Sequence, residues 1–343
     1  MPRSDRLRKI LIVSALSLPI LFGGSCTPQS DDTDPSQMSI GQAAVLGVVE
    51  GFTEYLPVSS TGHLILAQRA MGIGTTEETK VAADAYAICI QAGAILAVIG
   101  LYWGDIRRMF RGLAGRDREG FLLFINLGVA FAPAAAVGLL GGSAIKELLF
   151  GLHWVVAAWF VGGVAILAVS RYREESPPEK GTDLYAISWR CALVIGLVQC
   201  LAVWPGTSRS LVTIVAGIMV GLSLRSAVVF SFLLGAVTLS ASTVYDGTSY
   251  GSVILESYGW HSILTGFIVA FVSAVISVRW MVEYLKRHGL TIFGYYRIGL
   301  AIVVAILMAI GVLNGHHSTT QMRADWDAEG VDEMTNDEIP NAQ

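Results

Sequence analysis

The sequence predicts an all-α polytopic membrane protein, with six transmembrane helices and two re-entrant helical hairpins in an inverted-topology repeat. Hydrophobic residues make up 53% of the 343 residues, 15% are charged, and the mean hydropathy is +0.59. A soluble domain averages about 25% charged residues. Several apolar runs approach the roughly 20 residues that span a hydrocarbon core. Two other apolar stretches are interrupted by polar turns, and these predict the hairpins.

The N-terminal segment 1–26 is typical of a signal peptide or a lipoprotein leader. Basic residues precede an apolar run at 10–22, and small residues then lead to Cys26. Gly23 stands where a lipoprotein cleavage site usually has a branched aliphatic residue. Two fates of this segment are therefore possible: cleavage with acylation of Cys26, or retention as an uncleaved anchor helix. A polar linker, 27–38, follows.

Six apolar runs predict the transmembrane helices. They lie at 85–103, 121–140, 153–170, 227–244, 262–280 and 296–313. Lys and Arg concentrate after the first, third and fifth runs, whereas loop 141–152 holds one Lys and loop 245–261 holds neither. Because basic loops favour the cytoplasm, these charges predict which helix ends are cytoplasmic and leave the mature N-terminus and the C-terminal tail outside.

The two interrupted stretches, 40–72 and 187–222, each predict a short helix, a polar turn and a second short helix that returns to the starting side. Non-helical backbone at membrane depth survives only when it is buried in protein or lines a wet cavity. The stretches share two patterns, separated by 149 and 148 positions: Gly47-x-x-Glu50 with Gly196-x-x-Gln199, and Pro57-x-Ser59-Ser60 with Pro205-x-Thr207-Ser208.

Three predicted spans follow each hairpin, which divides the chain into repeat 1 (39–170) and repeat 2 (187–314), joined by a cytoplasmic loop (171–186). Entry of the hairpins from opposite sides makes the repeat inverted. Such repeats hold their binding site at the repeat interface near the membrane midplane. The acidic tail, 315–343, lacks apolar periodicity and is predicted to be disordered.

Glu50 and Glu54 are the most informative side chains of the first hairpin. Their four-residue spacing puts both carboxylates on one face of a helix. A charged group at bilayer depth costs about 2.5–3.5 kcal/mol on insertion scales, so we interpret the pair as functional. The alternative is two carboxylates that face water at a membrane edge.

Each turn precedes the start of a short helix, and helix N-termini bind anions. The candidate phosphate-binding residues are Ser59, Thr61, Gly62, Thr207, Ser208, Arg209, Ser210 and Thr213. Ser59, Ser60 and Thr61 are expected to cap one helix, and Thr207 and Ser208 the other. Simple capping is the alternative role for these hydroxyl groups.

An anion held by Arg209 beside two carboxylates indicates phosphate together with a divalent cation, Mg²⁺ or Ca²⁺. Glu50 and Glu54 are the candidate metal ligands, and the alternative is that they orient His63. His63 is a candidate general acid or base, three residues after Ser60. A serine with a nearby base is a nucleophile arrangement, so Ser60 or a water molecule activated by His63 is the expected attacking group.

The run GVVEGFTEYLPVSSTGH, from Gly47 to His63, resembles a signature of the bacterial undecaprenyl-diphosphatase (bacitracin-resistance) family. The run PGTSRSLVT, from Pro205 to Thr213, resembles the second signature of that family, and the likeness covers about 40–313. The motif positions are occupied by Glu50, Glu54, Ser60, His63, Ser208, Arg209 and Thr213.

This resemblance implies hydrolysis of undecaprenyl diphosphate to the monophosphate, which recycles the lipid carrier of cell-wall synthesis. It also implies a divalent-ion requirement and a site in the bacterial plasma membrane that is open to the outer face. The expected partners are the polyprenyl diphosphate substrate and membrane lipids, and a homodimer is left open. The sequence has no stripe of basic residues of the kind that would indicate nucleic-acid binding.

A lipid-phosphate transporter or flippase is the main alternative, because inverted repeats around broken helices are typical of alternating-access carriers. An intramembrane serine protease would use Ser60 and His63, but would leave Arg209 and the carboxylates without a role. A phosphatidic-acid-phosphatase type of enzyme needs a histidine six residues after the arginine, where Val215 stands.

Overall fold

The computed structural model describes residues 38–74, 77–149, 151–173 and 181–313. The predicted leader, almost all of the linker and the acidic tail lie outside these residues. Within the described ranges the backbone is helical, and its β pairing is confined to one isolated bridge between Thr182 and Leu222. The all-α prediction is confirmed.

Ten α-helices occur in the described ranges. In chain order they are α1 (Ile40–Thr53), α2 (Ser60–Ala70), α3 (Glu77–Leu101), α4 (Trp103–Leu113), α5 (Arg118–Leu149), α6 (Leu152–Arg173), α7 (Trp189–Gln199), α8 (Arg209–Met219), α9 (Leu224–His288) and α10 (Thr291–Ala309). Short 3₁₀ turns at Leu184–Ala186 and Cys200–Val203 precede and follow α7.

Six helical segments of the described chain are long and apolar enough to cross a membrane. They are Ala82–Leu101, Arg118–Leu140, Leu152–Arg171, Leu224–Tyr245, Tyr258–His288 and Thr291–Ala309. Six helices of suitable length and composition therefore lie where the six spans were predicted, with ends that differ by at most eight residues. Three of the segments follow α1 and α2, and three follow α7 and α8.

Two segments that the sequence analysis treated as loops are helical. The basic stretch after the first span forms α4, because Ile106 and Met109 pack against the core while Arg107 and Phe110 stay exposed. The stretch between the fourth and fifth spans continues α9, which is interrupted at Gly259 (φ 65°, ψ 155°). This left-handed conformation favours glycine, which has no Cβ to clash.

The helix pairs α1–α2 and α7–α8 form the two hairpins, and their backbones correspond at a constant separation of 149 positions. Both begin after a serine N-cap, and both end with a glycine of positive φ. The matching pairs are Ser39 with Ser188, Ser59 with Ser208, Met71 with Val220, and Gly72 with Gly221. The structure therefore repeats the same pattern of caps and positive-φ residues in both helix pairs, whereas the re-entrant path and the inverted orientation stay predictions.

This correspondence corrects the alignment of the two turns. The sequence patterns paired Ser60 with Ser208, at a separation of 148 positions. The helices that leave the turns begin at Ser60 and at Arg209, so these two residues are equivalent. The prolines are displaced by one residue because the backbone paths into the turns differ, with a 3₁₀ turn only before Pro205 in these described segments.

Candidate active site

The turn between α1 and α2 lies against the turn between α7 and α8. The hydroxyl of Ser210 donates a hydrogen bond to the carbonyl oxygen of Leu56 at 2.9 Å. Arg209 Nη2 lies 3.1 Å from Glu54 Oε1, and these side chains are only 9% and 6% exposed. The structure therefore joins the predicted acidic and basic parts of the site directly.

Glu54 is the centre of this cluster, because each of its carboxylate oxygens accepts a hydrogen bond. Oε1 accepts from Arg209, and Oε2 accepts from the hydroxyl of Ser60 at 2.5 Å. Glu54 stands at the C-cap of α1 and Ser60 at the start of α2. The turn thus brings a hydroxyl group and a carboxylate together across six positions of sequence.

Glu50 lies one helical turn before Glu54 and is 1% exposed. Its carboxyl group interacts with Glu54 and with the charge of Arg209, but Oε1 has no hydrogen-bond partner in the described structure. One guanidinium therefore faces two carboxylates. A buried oxygen without a partner, in a site with excess acidic groups, fits a hard divalent cation.

Small residues let α1 approach α9 closely enough to bury Glu50. A Cβ at Gly47 would lie 2.6 Å from the carbonyl oxygen of Gly266, and one at Gly51 would clash with the backbone at Ala270. Any larger side chain at these positions would push the helices apart. The equivalent Gly196 packs against the backbone at Ala130 in the same way.

Arg209 is held from three sides. Its Nη1 donates to the carbonyl oxygen of Ser231 at 3.0 Å, and its guanidinium carbon lies 5.5 Å from the centre of the Tyr55 ring. Gly235 leaves room for the guanidinium, since a Cβ there would clash with it. Nε has no partner in the described structure, so the group retains a donor for an anion.

Ser59 and Ser208 both adopt φ 74°, which is uncommon for residues other than glycine. They are the N-cap positions of α2 and α8, but only the Ser208 hydroxyl caps, accepting from the Leu211 N–H at 3.3 Å. The hydroxyl group of Ser59 makes no capping hydrogen bond although Ser59 is at the predicted cap position, and the capping prediction is wrong for Ser60, Thr61 and Thr207. Ser60 and Thr61 lie inside α2, and Thr207 precedes the cap.

His63 has two hydrogen-bond partners in the described structure, and Ser60 is not one of them. Its Nδ1 lies 2.7 Å from the carbonyl oxygen of Ser59, and its Nε2 lies 2.7 Å from the hydroxyl of Tyr296. A carbonyl oxygen accepts only, so Nδ1 carries the proton and Nε2 accepts from Tyr296. His63 thus supports the strained turn, whereas Glu54 is the carboxylate that accepts the hydrogen bond from Ser60.

The other predicted phosphate-binding residues have mixed surroundings. Thr61 is exposed and Thr207 is half-buried, while Gly62 packs against the Trp159 indole, where a Cβ would clash. The hydroxyl of Thr213 lies 2.8 Å from the carbonyl oxygen of Arg209 and 2.6 Å from the hydroxyl of Ser231. Thr213 and Ser231 therefore fix the backbone and the side chain of Arg209.

Arg297 is the main site residue that sequence reasoning missed. It is fully buried, and in the described structure its guanidinium donates to four carbonyl oxygens, those of Pro57, Ala158, Trp159 and Gly206. Pro57 and Gly206 are equivalent positions of the two turns, 149 residues apart. Arg297 thus joins both turns to α6. From sequence, Arg297 was counted only among the basic residues near the start of the sixth span that predict topology.

Fold and site together define a polytopic helical membrane protein in which a buried cluster of Glu54, Ser60 and Arg209 lies where two turns meet. The chain belongs to the family described as bacitracin resistance protein BacA, whose model matches residues 43–303. This confirms the family resemblance inferred from the two motifs.

Curated relatives are similar over most of their length. An undecaprenyl-diphosphatase of Sorangium cellulosum is 42% identical over 263 residues, covering 76% of this chain and 84% of the relative. One of Verminephrobacter eiseniae is 41% identical, covering 79% and 95%. Undecaprenyl-diphosphatase 2 of Rhodospirillum rubrum is 42% identical, covering 77% and 93%.

Proposed function

We infer that this chain is an integral membrane phosphatase that hydrolyses undecaprenyl diphosphate to undecaprenyl phosphate and inorganic phosphate. Membership of the family and the names of relatives about 40% identical support this activity. The observation that carries it is the buried contact of Ser60, Glu54 and Arg209. A hydroxyl group, a base and a guanidinium are the groups that phosphoryl transfer requires.

We assign Arg209 to the diphosphate. Its guanidinium retains a free Nε donor, and it lies at the start of α8, where backbone N–H groups also face outward. Phosphoryl transfer depends mostly on positioning and on neutralising charge. Substrate binding would replace the contact between Arg209 and Glu54, which frees Glu54 to act as a base.

We assign Ser60 as the nucleophile and Glu54 as its base. Glu54 Oε2 takes the hydroxyl proton while Ser60 Oγ bonds to the terminal phosphorus. The bond from that phosphorus to the bridging oxygen breaks, and undecaprenyl phosphate leaves. Water then attacks the phosphoserine, inorganic phosphate leaves, and the proton returns to Ser60. His63 positions this turn through Ser59 and Tyr296 rather than taking the proton.

A divalent cation fits beside Glu50. Mg²⁺ is commonly bound by one or two carboxylates together with substrate phosphates, and Glu50 offers a buried oxygen without a partner in the described structure. Glu54 is the second candidate ligand. The cation would neutralise charge on the diphosphate, and we propose that Glu50 is the residue that recruits it. We further propose that the site opens to the outer face of the plasma membrane, as the distribution of basic segments predicts.

Phosphate release from undecaprenyl diphosphate by the purified full chain in detergent tests the function. We expect multiple turnovers without a membrane gradient, loss of activity with chelator, and recovery with Mg²⁺ or Ca²⁺. Substrate binding without turnover would contradict the enzyme and favour the transporter.

Substitution of Ser60 tests the nucleophile. Ser60→Ala is expected to lower kcat by about 100-fold or more, since positioned proton transfer alone contributes about 10²–10⁴-fold. Quenching a reaction with substrate labelled in the terminal phosphate should trap a phosphoserine in the wild type. Ser242→Ala, on an exposed stretch of α9, is the control. Near-normal activity of Ser60→Ala would make water the attacking group and leave the phosphatase assignment intact.

A further inference from the structure

A cavity lies where three membrane-spanning segments end, and none of its lining residues belongs to the candidate active site. Tyr102 directly follows the segment Ala82–Leu101, Leu224 begins the segment Leu224–Tyr245, and Lys286 lies in the last turn of Tyr258–His288. Ends of spanning helices lie at the boundary between hydrocarbon and water. This cavity is therefore at the membrane interface, among the basic segments that the sequence predicts to be cytoplasmic.

One side of the cavity is positively charged. Arg225 is exposed, and none of the ion pairs in the described structure involves it. Lys286 lies 2.9 Å from Glu283, but Arg287 shares that carboxylate at 3.1 Å. The nearby Asp105 is bonded to the hydroxyl of Tyr185. Positive charge therefore exceeds negative charge at this opening.

The remaining lining is Tyr102 and an aliphatic wall of Leu224, Val228, Val229, Val282 and Leu285. The cavity volume is about 180 Å³, which equals roughly six water molecules at about 30 Å³ each. This is enough for a phosphate group and the first carbons of a chain. A free anion would gain nothing from the aliphatic wall, whereas a lipid would place its chain there.

We propose that this cavity binds an anionic phospholipid, with the phosphate between Arg225 and Lys286 and an acyl chain along the aliphatic wall. Basic pockets between membrane helices on the cytoplasmic side are suited to such head groups. The site is distinct from the proposed active site, because none of its lining residues is among those assigned to catalysis.

Lipid retention by the purified full chain tests the proposal. Native mass spectrometry would compare phosphatidylglycerol with phosphatidylcholine of the same acyl chains. A cation near a membrane surface contributes about 1 kcal/mol, or about fivefold in affinity, so R225Q/K286Q should bind phosphatidylglycerol about 25-fold more weakly. The matched control is R287Q, which removes a charge that pairs with the same carboxylate but does not line the cavity. It should bind like the wild type.

A second variant separates a built site from general surface charge. V229F keeps both cations and fills the cavity, so it should also weaken binding of phosphatidylglycerol. Unchanged melting in detergent would show that each variant is folded.

Three results would overturn the proposal. In the first, R225Q/K286Q binds phosphatidylglycerol as strongly as R287Q does. In the second, the wild type binds phosphatidylcholine as strongly as phosphatidylglycerol. In the third, V229F binds phosphatidylglycerol as strongly as the wild type. Displacement of the lipid by millimolar inorganic phosphate would instead show an anion site without lipid specificity, which also contradicts it.

Discussion

In the first hairpin Ser59 adopts φ 74° and is followed by Ser60; in the second, Ser208 adopts the same φ and is followed by Arg209. The two backbones agree at their N-caps, at these serines of positive φ and at their terminal glycines. The side chains at matching positions are chemically complementary. Glu50 and Ser60 of the first hairpin correspond to Gln199 and Arg209 of the second.

This comparison shows that one backbone device serves two chemical roles. Both turns hold a serine in a left-handed conformation, which costs about 1–3 kcal/mol and is retained only where the surroundings enforce it. The first turn uses that geometry to aim a hydroxyl group at a carboxylate. The second uses it to aim a guanidinium at the same carboxylate.

The largest effect is expected from removing the guanidinium of the second hairpin. Arg209→Ala should lower kcat/KM by about 100-fold or more, if a preorganised donor counts here as it does in oxyanion holes. The measurement is phosphate release by the purified chain. Arg190→Ala, an exposed arginine on α7, is the control and should be near normal. Near-normal phosphate release by Arg209→Ala would remove Arg209 from the mechanism.

The next largest effect is expected from replacing Glu50 of the first hairpin with glutamine, the residue type at the equivalent position of the second. Glu50→Gln should lower activity by about 10–100-fold and raise the concentration of Mg²⁺ needed for half-maximal rate, because a cation ligand is lost. Gln199→Met is the matched change at the equivalent position. The Gln199 amide has no partner in the described structure, so its removal should leave both quantities near normal. Equal effects of the two variants would contradict the division of roles.

A third variant tests what joins the two turns. Arg297→Lys keeps the charge but has fewer donors, so at least one of the carbonyl oxygens of Pro57 and Gly206 should lose its partner. A bond from a charged group is worth about 1.5–3 kcal/mol. We expect a lower melting temperature in detergent and a loss of kcat/KM on the order of tenfold from misplaced turns. Exposed Arg279→Lys should change neither, and an unchanged Arg297→Lys would refute the joining role.

The smallest effect is expected where only space is altered. Gly235→Ala places a methyl group against the Arg209 guanidinium, which is the flexible end of a side chain and can move. The melting temperature should therefore change little, while KM rises severalfold. This rise corresponds to a loss of about 1 kcal/mol of binding free energy. Gly128→Ala on α5 has open space and is the matched control. A large loss of stability without a change in KM would show that Gly235 serves packing alone.

Much of this arrangement could be predicted from sequence because its signals are local. Apolar runs predicted the six spans, and prolines and hydroxyl residues predicted the two turns. The motif residues Glu54 and Arg209 were expected near one another from the repeat, and they form an ion pair.

The rest depends on partners that sequence does not display. Every residue has a carbonyl oxygen, so nothing marks those of Pro57 and Gly206 as acceptors for Arg297. Tyr296 contacts His63 across 233 positions, which no spacing rule reveals. The base for Ser60 was expected to be His63 because it lies three residues away, but the turn directs the hydroxyl to Glu54 instead.

The most direct test of the central claim is a double-mutant cycle on Glu54 and Arg209, measured as kcat/KM for phosphate release from undecaprenyl diphosphate. If the two turns act as one unit on one diphosphate, the double variant Glu54→Gln/Arg209→Gln should have a kcat/KM only slightly below that of the worse single variant. The reason is that the effects of residues that act together are not additive. If instead the loss of kcat/KM in the double variant equals the product of the two single losses, the two residues act independently, which would contradict a shared site.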